Sequence, residues 1–175
     1  MRLSLHPHPD TPSAAVRAIA VEVTRPNAAS LALRFMVVGA IGEVRWPAPT
    51  PAQRGDELWR HTCFEAFLGG AGENYLELNF SPSGRWAAYG FDGYRRGARN
   101  AEIDAPRIVA ATRGDTFELN ATIEALGDWA RLGLSAVIED LNGDKSYWAL
   151  AHPAGKPDFH HALGFAAEPP GVEQA

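Results

Sequence analysis

The sequence predicts an all-β protein, an antiparallel two-sheet β-sandwich of roughly nine to eleven short strands. Three observations support this prediction. Apolar and polar residues alternate with a period of two in most of the apolar segments, and this is the period of a strand. Turn residues separate the segments at the even spacing that is typical of sandwiches and barrels. No segment keeps a helical period over several turns.

Two long strands are predicted near the N-terminus, over residues 16–25 and 30–39. A shorter strand-like run, residues 42–47, ends at Pro47. Residues 47–57 are predicted to form a loop, because their prolines cannot donate the backbone hydrogen bonds of a regular element. The inward positions of the two long strands are Ile19, Val21, Val23, Leu31, Leu33, Phe35 and Val37.

Three further strands are predicted between residues 60 and 95, where GGAGEN and SPSG turns separate the runs. In the first two runs one face is apolar and the other is mixed. A mixed face of rings, carboxylates, an amide and an imidazole is more typical of a surface that binds a small polar ligand than of a solvated sheet face. The mixed faces carry His61, Cys63, Glu65 and Phe67 in the first run, and Tyr75, Glu77 and Asn79 in the second.

The C-terminal half is predicted to contain two hairpins. Residues 107–124 turn at an Arg-Gly-Asp sequence, and residues 132–152 turn at an Asn-Gly-Asp sequence, and both are typical hairpin turns. A connecting loop is predicted over residues 97–106, and residues 125–133 have room for one helical turn.

Composition and charge restrict the class of protein. The 175 residues suffice for one domain with a core, predicted over residues 1–168 with a flexible tail over residues 169–175. The net charge is −5 and only two lysines are present, so the basic surface that nucleic acid requires is lacking. A single cysteine, Cys63, excludes an intrachain disulfide. The sequence has neither an apolar leader nor an apolar run long enough to span a membrane, so a cytoplasmic location without membrane contact is predicted. The oligomeric state is left open.

The mixed faces predict a ligand-binding groove. Carboxylates and amides bind hydroxyl pairs, and flat aromatic faces suit sugar rings. The alternative, equally supported by the polar residues alone, is an ordinary outer face with cross-strand pairs. Tryptophan in a sandwich is also more often a core residue. The predicted ligand-binding residues are Trp59, His61, Glu65, Tyr75, Glu77, Asn79, Arg85, Tyr89 and Trp148.

Catalytic and metal functions have less support in the sequence. Residues 152–161 contain three histidines and Asp158, but their spacing is not that of a metal site, so no metal or other cofactor is predicted. A metal-binding module that uses His61, His152, His160 and His161 is the first alternative function. The motifs of serine hydrolases, zinc proteases and P-loop proteins are missing. Glu65 and Glu77 leave glycoside hydrolysis open as an alternative, but a non-catalytic protein is predicted.

Three segments carry a resemblance to a known family: HTCFEAFL, YLELNFSPSGRWAAYGFDGYR and YWALAHPAGKPDFHH. They resemble a bacterial stand-alone group of the DOMON-like, family 9 carbohydrate-binding-module-like β-sandwich proteins, over about residues 1–168. The resemblance implies a jelly-roll-like sandwich that binds a ligand, either a sugar or haem. It implies that Trp59 and Trp148 are stacking rings and that Glu65 reads sugar hydroxyls. A haem would need His61 or His152 as its axial ligand.

Overall fold

The structure, a computed structural model, describes residues 1–172 and contains eleven β-strands joined in one antiparallel sheet. No α-helix occurs among these residues, and none of their three short 3-10 turns is long and apolar enough to cross a membrane. The strands are β1 (Arg2–Pro7), β2 (Val16–Thr24), β3 (Leu31–Gly39), β4 (Cys63–Gly69), β5 (Tyr75–Phe80), β6 (Trp86–Phe91), β7 (Arg99–Asn100), β8 (Arg107–Arg113), β9 (Thr116–Ile123), β10 (Arg131–Glu139) and β11 (Lys145–Ala149).

The sheet is strongly curled, with the strand order β7-β6-β5-β4-β10-β11-β1-β2-β3-β9-β8. Strand β1 joins its two halves, because residues 2–5 pair with β2 whereas His6 and Pro7 pair with β11. The all-β class and the upper end of the predicted strand number are confirmed. The division into two separate sheets is not confirmed, since hydrogen bonds continue through β1 from one half to the other.

The core lies inside the curl. Phe35 on β3 and Phe64 on β4 are completely buried, with ring centroids 4.9 Å apart, although four strands separate β3 from β4 in the sheet order. The ring of Phe117 on β9 is stacked with that of Phe64, and their centroids lie 6.2 Å apart. The curl therefore brings the inner faces of the two halves together and removes their apolar side chains from water.

Strand β4 is buried on both faces. Its inward residues Phe64, Ala66 and Leu68 belong to the core, as the alternation predicts. On the opposite face Phe67 forms a second apolar cluster with rings of β5, β6 and the irregular residues 153–165. This C-terminal segment covers part of the outer face of the sheet, and the candidate site lies beside it.

Two of the predicted local elements are wrong. Residues 125–133 hold no helical turn, because Ala125 has a left-handed φ of 54° and the N–H groups of Leu126 and Ala130 donate to Ala29 and Gly69. The short run at 42–47 begins with the 3-10 turn Ile41–Glu43 rather than a strand.

The structure contains two strands that were not predicted, and the described residues extend to residue 172, within the predicted tail. Strand β1 was not predicted, and the two-residue β7 falls in a predicted loop. Ala167 is bridged to Leu132 near the end of the predicted domain. Of the predicted tail, residues 173–175 lie outside the described residues.

Candidate functional site

A cleft of about 500 Å³ opens on the face of β4, β5 and β6 that is opposite to the core. Its floor carries Glu65 from β4 and Glu77 from β5. Glu77 is directly opposite Tyr89 of β6, and Glu65 is opposite Ser135 of β10. The period of two in each strand therefore brings these side chains to the same face. One residue of each mixed face, Glu65 of the first and Glu77 of the second, thus lines the same cleft.

Aromatic side chains form the walls of the cleft. Strands β6 and β11 supply three of them, and the two others come from segments outside the sheet. A cavity with mainly apolar walls and a few polar groups is the usual form of a small-ligand site. The five aromatic residues are Trp59, Tyr89, Phe91, Tyr147 and Phe159.

Trp59 is the most exposed tryptophan in the described residues, with 47% of the residue accessible to solvent. It lies in the 3-10 turn Leu58–Arg60, which follows Glu57 in a left-handed conformation with φ 55°. Arg60 forms an ion pair with Glu57 at 2.6 Å, and its guanidinium lies 5.6 Å from the centre of the Trp59 ring. This short turn holds a large apolar surface at the mouth of the cleft, where water contact is unfavourable.

The two glutamates are buried acids. Glu65 is 3% exposed and accepts a hydrogen bond from the Ser135 hydroxyl at 2.9 Å, and Glu77 is 6% exposed and accepts one from the Asn79 amide at 2.8 Å. Burial and the nearby Glu77 charge raise the pKa of Glu65 to about 8, against the Ser135 hydrogen bond. Burial also raises the pKa of Glu77, while Asn79 and Arg95 oppose that rise. At neutral pH Glu65 therefore keeps its proton, and the charge of each acid opposes ionisation of the other.

His160 stands beside the acids as a neutral ring. Burial and the Arg95 charge lower the pKa of His160 to about 4, although Asp158 opposes them. The Tyr75 hydroxyl accepts the Arg95 N–H at 3.2 Å and lies 2.8 Å from His160 Nδ1, so this network favours a proton on Nε2. Nε2 lies 3.6 Å from Glu77 Oε2. Because the ring is neutral and the distance is long, this contact is not a salt bridge.

Asp158 fixes the irregular segment above the cleft. It accepts hydrogen bonds from Arg95 at 2.8 Å and from the Tyr94 hydroxyl, and it also accepts the backbone N–H of His160. Burial raises the pKa of Asp158, but the Tyr94 and Arg95 hydrogen bonds outweigh burial and lower it below its usual range. The Arg95 charge is therefore matched by Asp158.

Six of the nine predicted ligand residues lie in or directly behind the cleft. Trp59, Glu65, Glu77 and Tyr89 line it. Tyr75 and Asn79 support it through hydrogen bonds to His160 and Glu77. Trp59 lies in a 3-10 turn. The placement of the other five rests on local alternation in β4, β5 and β6, which the sequence displays directly.

The three other predicted residues do not line the cleft. His61 is turned toward Glu139, with Nδ1 2.7 Å from its carboxyl oxygen. Arg85 lies in the turn before β6, where its guanidinium packs against Gly55. Trp148 is 2% exposed in the core, because its neighbour Tyr147 takes the cleft-facing position of β11.

Eight lining residues were not among the predicted ligand residues, and five of them carry an aromatic or charged side chain or an imidazole. Tyr147 could have been found from alternation, had the inward direction of Trp148 been known. Phe91, two residues beyond Tyr89 on β6, could have been found in the same way. Arg95, Phe159 and His160 come from irregular segments, for which the sequence has no periodic signal.

The histidines considered for metal or haem have other partners. His152 Nε2 lies 2.8 Å from the His6 carbonyl oxygen, and His61 contacts Glu139. Within residues 1–172 no three His, Cys, Asp or Glu side chains are grouped so that they could hold a metal ion. Cys63 is buried, and burial raises the pKa of its thiol well above the ordinary value.

Comparison with solved structures finds the same fold in a candidate carbohydrate-binding protein from Bacteroides uniformis. The crystal structure of that protein matches with a TM-score of 0.67, covering 94% of this chain and 83% of that chain at 13% sequence identity. At this identity the likeness shows a shared fold. No family model and no curated protein matches the sequence.

Proposed function

We propose that the protein is a non-catalytic binding domain for a small sugar or sugar conjugate, which it holds in the cleft above Glu65 and Glu77. The observation that carries this proposal is the exposed Trp59 ring beside two buried carboxyl groups. An aromatic face covers the apolar face of a sugar ring, and carboxyl groups bind its hydroxyls.

The size of the cleft also supports this proposal. A volume of about 500 Å³ lies in the range of small-ligand sites and fits a mono- or disaccharide rather than a long polysaccharide. The fold shared with a candidate carbohydrate-binding protein gives further support. Fold alone does not determine function, so the proposal depends on the side chains of the cleft.

The family relationship is part of this proposal. The DOMON-like, family 9 carbohydrate-binding-module-like group is supported by motifs that now lie on β4, β5 and β6, beside the cleft. A curled sheet whose halves face each other is compatible with the two-sheet jelly roll of that group. The cytoplasmic location and the absence of nucleic-acid and membrane partners stay predictions from the sequence.

Glycoside hydrolysis is the second candidate, because Glu65 keeps its proton at neutral pH and a second carboxyl group, Glu77, lies beside it in the cleft. Glycosidases use such a pair as acid and base or nucleophile. However, Glu65 and Glu77 project from the same sheet face as diagonal neighbours, whereas glycosidase carboxyls flank the scissile bond. Hydrolysis of aryl glycosides that Glu65→Gln abolishes would establish this alternative.

Replacing Trp59 by alanine should weaken sugar binding by about tenfold, because loss of the ring that covers one face of the sugar costs about 1.4 kcal/mol. Isothermal titration calorimetry against a panel of mono- and disaccharides measures this effect. The matched control is Leu141→Ala, which removes a side chain that is 52% exposed at the β10–β11 turn. Unchanged affinity in Trp59→Ala, with the same sugar, would refute this site.

A further inference from the structure

The two carboxyl groups at the floor of the cleft have no cationic partner in the described residues. Glu65 makes no ion pair within residues 1–172, and the basic group nearest to Glu77 is the neutral His160. Glu65 Oε2 accepts from Ser135 and Glu77 Oε1 accepts from Asn79. The second oxygen of each carboxyl makes no hydrogen bond with these residues. These two oxygens are left available to a ligand in the cleft, and a cation bound there would stabilise the ionised forms of the acids.

Arg95 acts on Glu77 through space, since its charge opposes the rise in the pKa of Glu77, but it makes no ion pair with either acid within residues 1–172. The charge of Arg95 is matched by Asp158 at 2.8 Å. Tyr89 stays neutral, since burial and Asp56 raise its pKa to about 12. The titratable and charged groups that face the acids are Cys63, Tyr75, Tyr89, Arg95, Tyr147, Asp158 and His160. At neutral pH none of them adds a free positive charge to the cleft.

The walls of the cleft have the chemistry that favours a cation. The π-faces of tryptophan, tyrosine and phenylalanine attract an ammonium group, by about 0.5–2 kcal/mol each depending on exposure. Five such residues surround the acids. A partly enclosed site also strengthens the attraction between an ammonium and a carboxylate. Aromatic walls with acids at the base are complementary to an organic ammonium and less so to a divalent metal, which prefers more oxygen ligands.

We infer that the ligand of this cleft carries a positively charged amino group, as an amino sugar does, and that this group binds beside Glu65 and Glu77. The inference rests on the proposed function, because it assigns a ligand class to the same cleft. The sugar ring would stack on Trp59 at the mouth while the ammonium takes the position between the acids. Arrival of that charge favours the ionised form of Glu65, so binding at neutral pH releases a proton.

Matched pairs of sugars test this inference. Glucosamine, galactosamine and mannosamine are titrated calorimetrically at about pH 6.5, each against its neutral parent sugar and its N-acetyl derivative. We expect one amino sugar to bind at least about tenfold more tightly than both neutral partners. The same titration in two buffers of different ionisation enthalpy should show proton release.

Two charge-removing variants locate the effect. Glu77→Gln should abolish the preference for the amine, so that the variant binds the amino sugar and its neutral parent with affinities within about threefold of each other. The control is Glu118→Gln, which removes a carboxylate on β9 that pairs with Arg34 at 2.8 Å, far from the cleft. This control should keep the preference. If Glu77→Gln does not fold, proton release by the unaltered protein decides the question.

The outcomes separate the inference from the proposed function. Equal affinity for amino and neutral sugars would overturn the inference and leave the sugar-binding function standing. Binding of choline without any sugar would support the ammonium site and overturn the sugar function. Binding that is lost with a metal chelator would overturn the ammonium site. No binding of sugars or choline at millimolar concentration would overturn both.

Discussion

Replacing Phe64 by alanine should lower the free energy of unfolding by about 3–5 kcal/mol, the usual cost of emptying a buried phenylalanine site. Phe64 is completely buried where β4 faces the other half of the curled sheet. The neighbouring rings belong to strands and cannot collapse into the space. Urea denaturation monitored by tryptophan fluorescence measures this loss. The control Val109→Ala, on a β8 side chain that is 47% exposed, should change stability by less than about 0.5 kcal/mol.

The partner of Phe64 makes this prediction a test of the fold. Phe35 contacts Phe64 at 4.9 Å between ring centroids, although the two residues lie on opposite halves of the sheet. The Phe35→Ala and Phe64→Ala changes should therefore be non-additive, with a coupling energy of about 0.5–1.5 kcal/mol in a double-mutant cycle. Additive effects would contradict the curled arrangement.

The free energy of unfolding should fall by about 2 kcal/mol between about pH 6.5 and 9. The pKa of Glu65 is raised to about 8 by burial and by Glu77, whereas an unfolded glutamate titrates near about 4.3. An acid whose pKa is raised by folding contributes its full stability at pH values below its pKa in the unfolded chain. This contribution is lost as the pH rises through the pKa of the acid in the folded protein. Below about pH 6.5 His160 acts in the opposite direction, because its lowered pKa of about 4 favours the native state as pH rises.

The Glu65→Gln variant isolates this effect. Glutamine keeps the shape of the side chain and a hydrogen bond with Ser135 but does not ionise. The decline above about pH 6.5 should therefore largely disappear, as measured by urea denaturation at a series of pH values. Tyr89, whose pKa is raised to about 12, titrates above this range. Parallel curves for the variant and the unaltered protein would show that Glu65 is already ionised at neutral pH.

Local periodicity explains which features the sequence could predict. Alternation in β4 and β5 identified both the inward Phe64 and the cleft-facing Glu65 and Glu77. These assignments need only the side-chain period of a strand, which does not depend on the rest of the chain. The hairpin turns at 113–115 and 140–144 could be predicted for the same local reason.

The remaining features depend on contacts between distant parts of the chain. Strand β1 is short, and its pairing with both β2 and β11 makes one sheet from two halves. Trp148 is in the core because the register with β10 puts it opposite Ala136 and puts Tyr147 opposite Val137. No local feature of the sequence indicates which of the two neighbouring residues, Tyr147 or Trp148, faces the core. The segment above the cleft is held by Arg95 and Asp158, which are 63 residues apart in sequence.

The indole N–H signals of the tryptophans provide the most direct test that the cleft is the binding site. The chain has five tryptophans, and Trp59 is the one that lines the cleft. Two-dimensional NMR of ¹⁵N-labelled protein is recorded while amino sugars and their neutral parents are added. We predict that a bound sugar shifts the Trp59 signal and leaves those of the four others in place. A shift confined to Trp46, which lines a separate depression beside β8, or no shift at saturating concentration, would contradict this account.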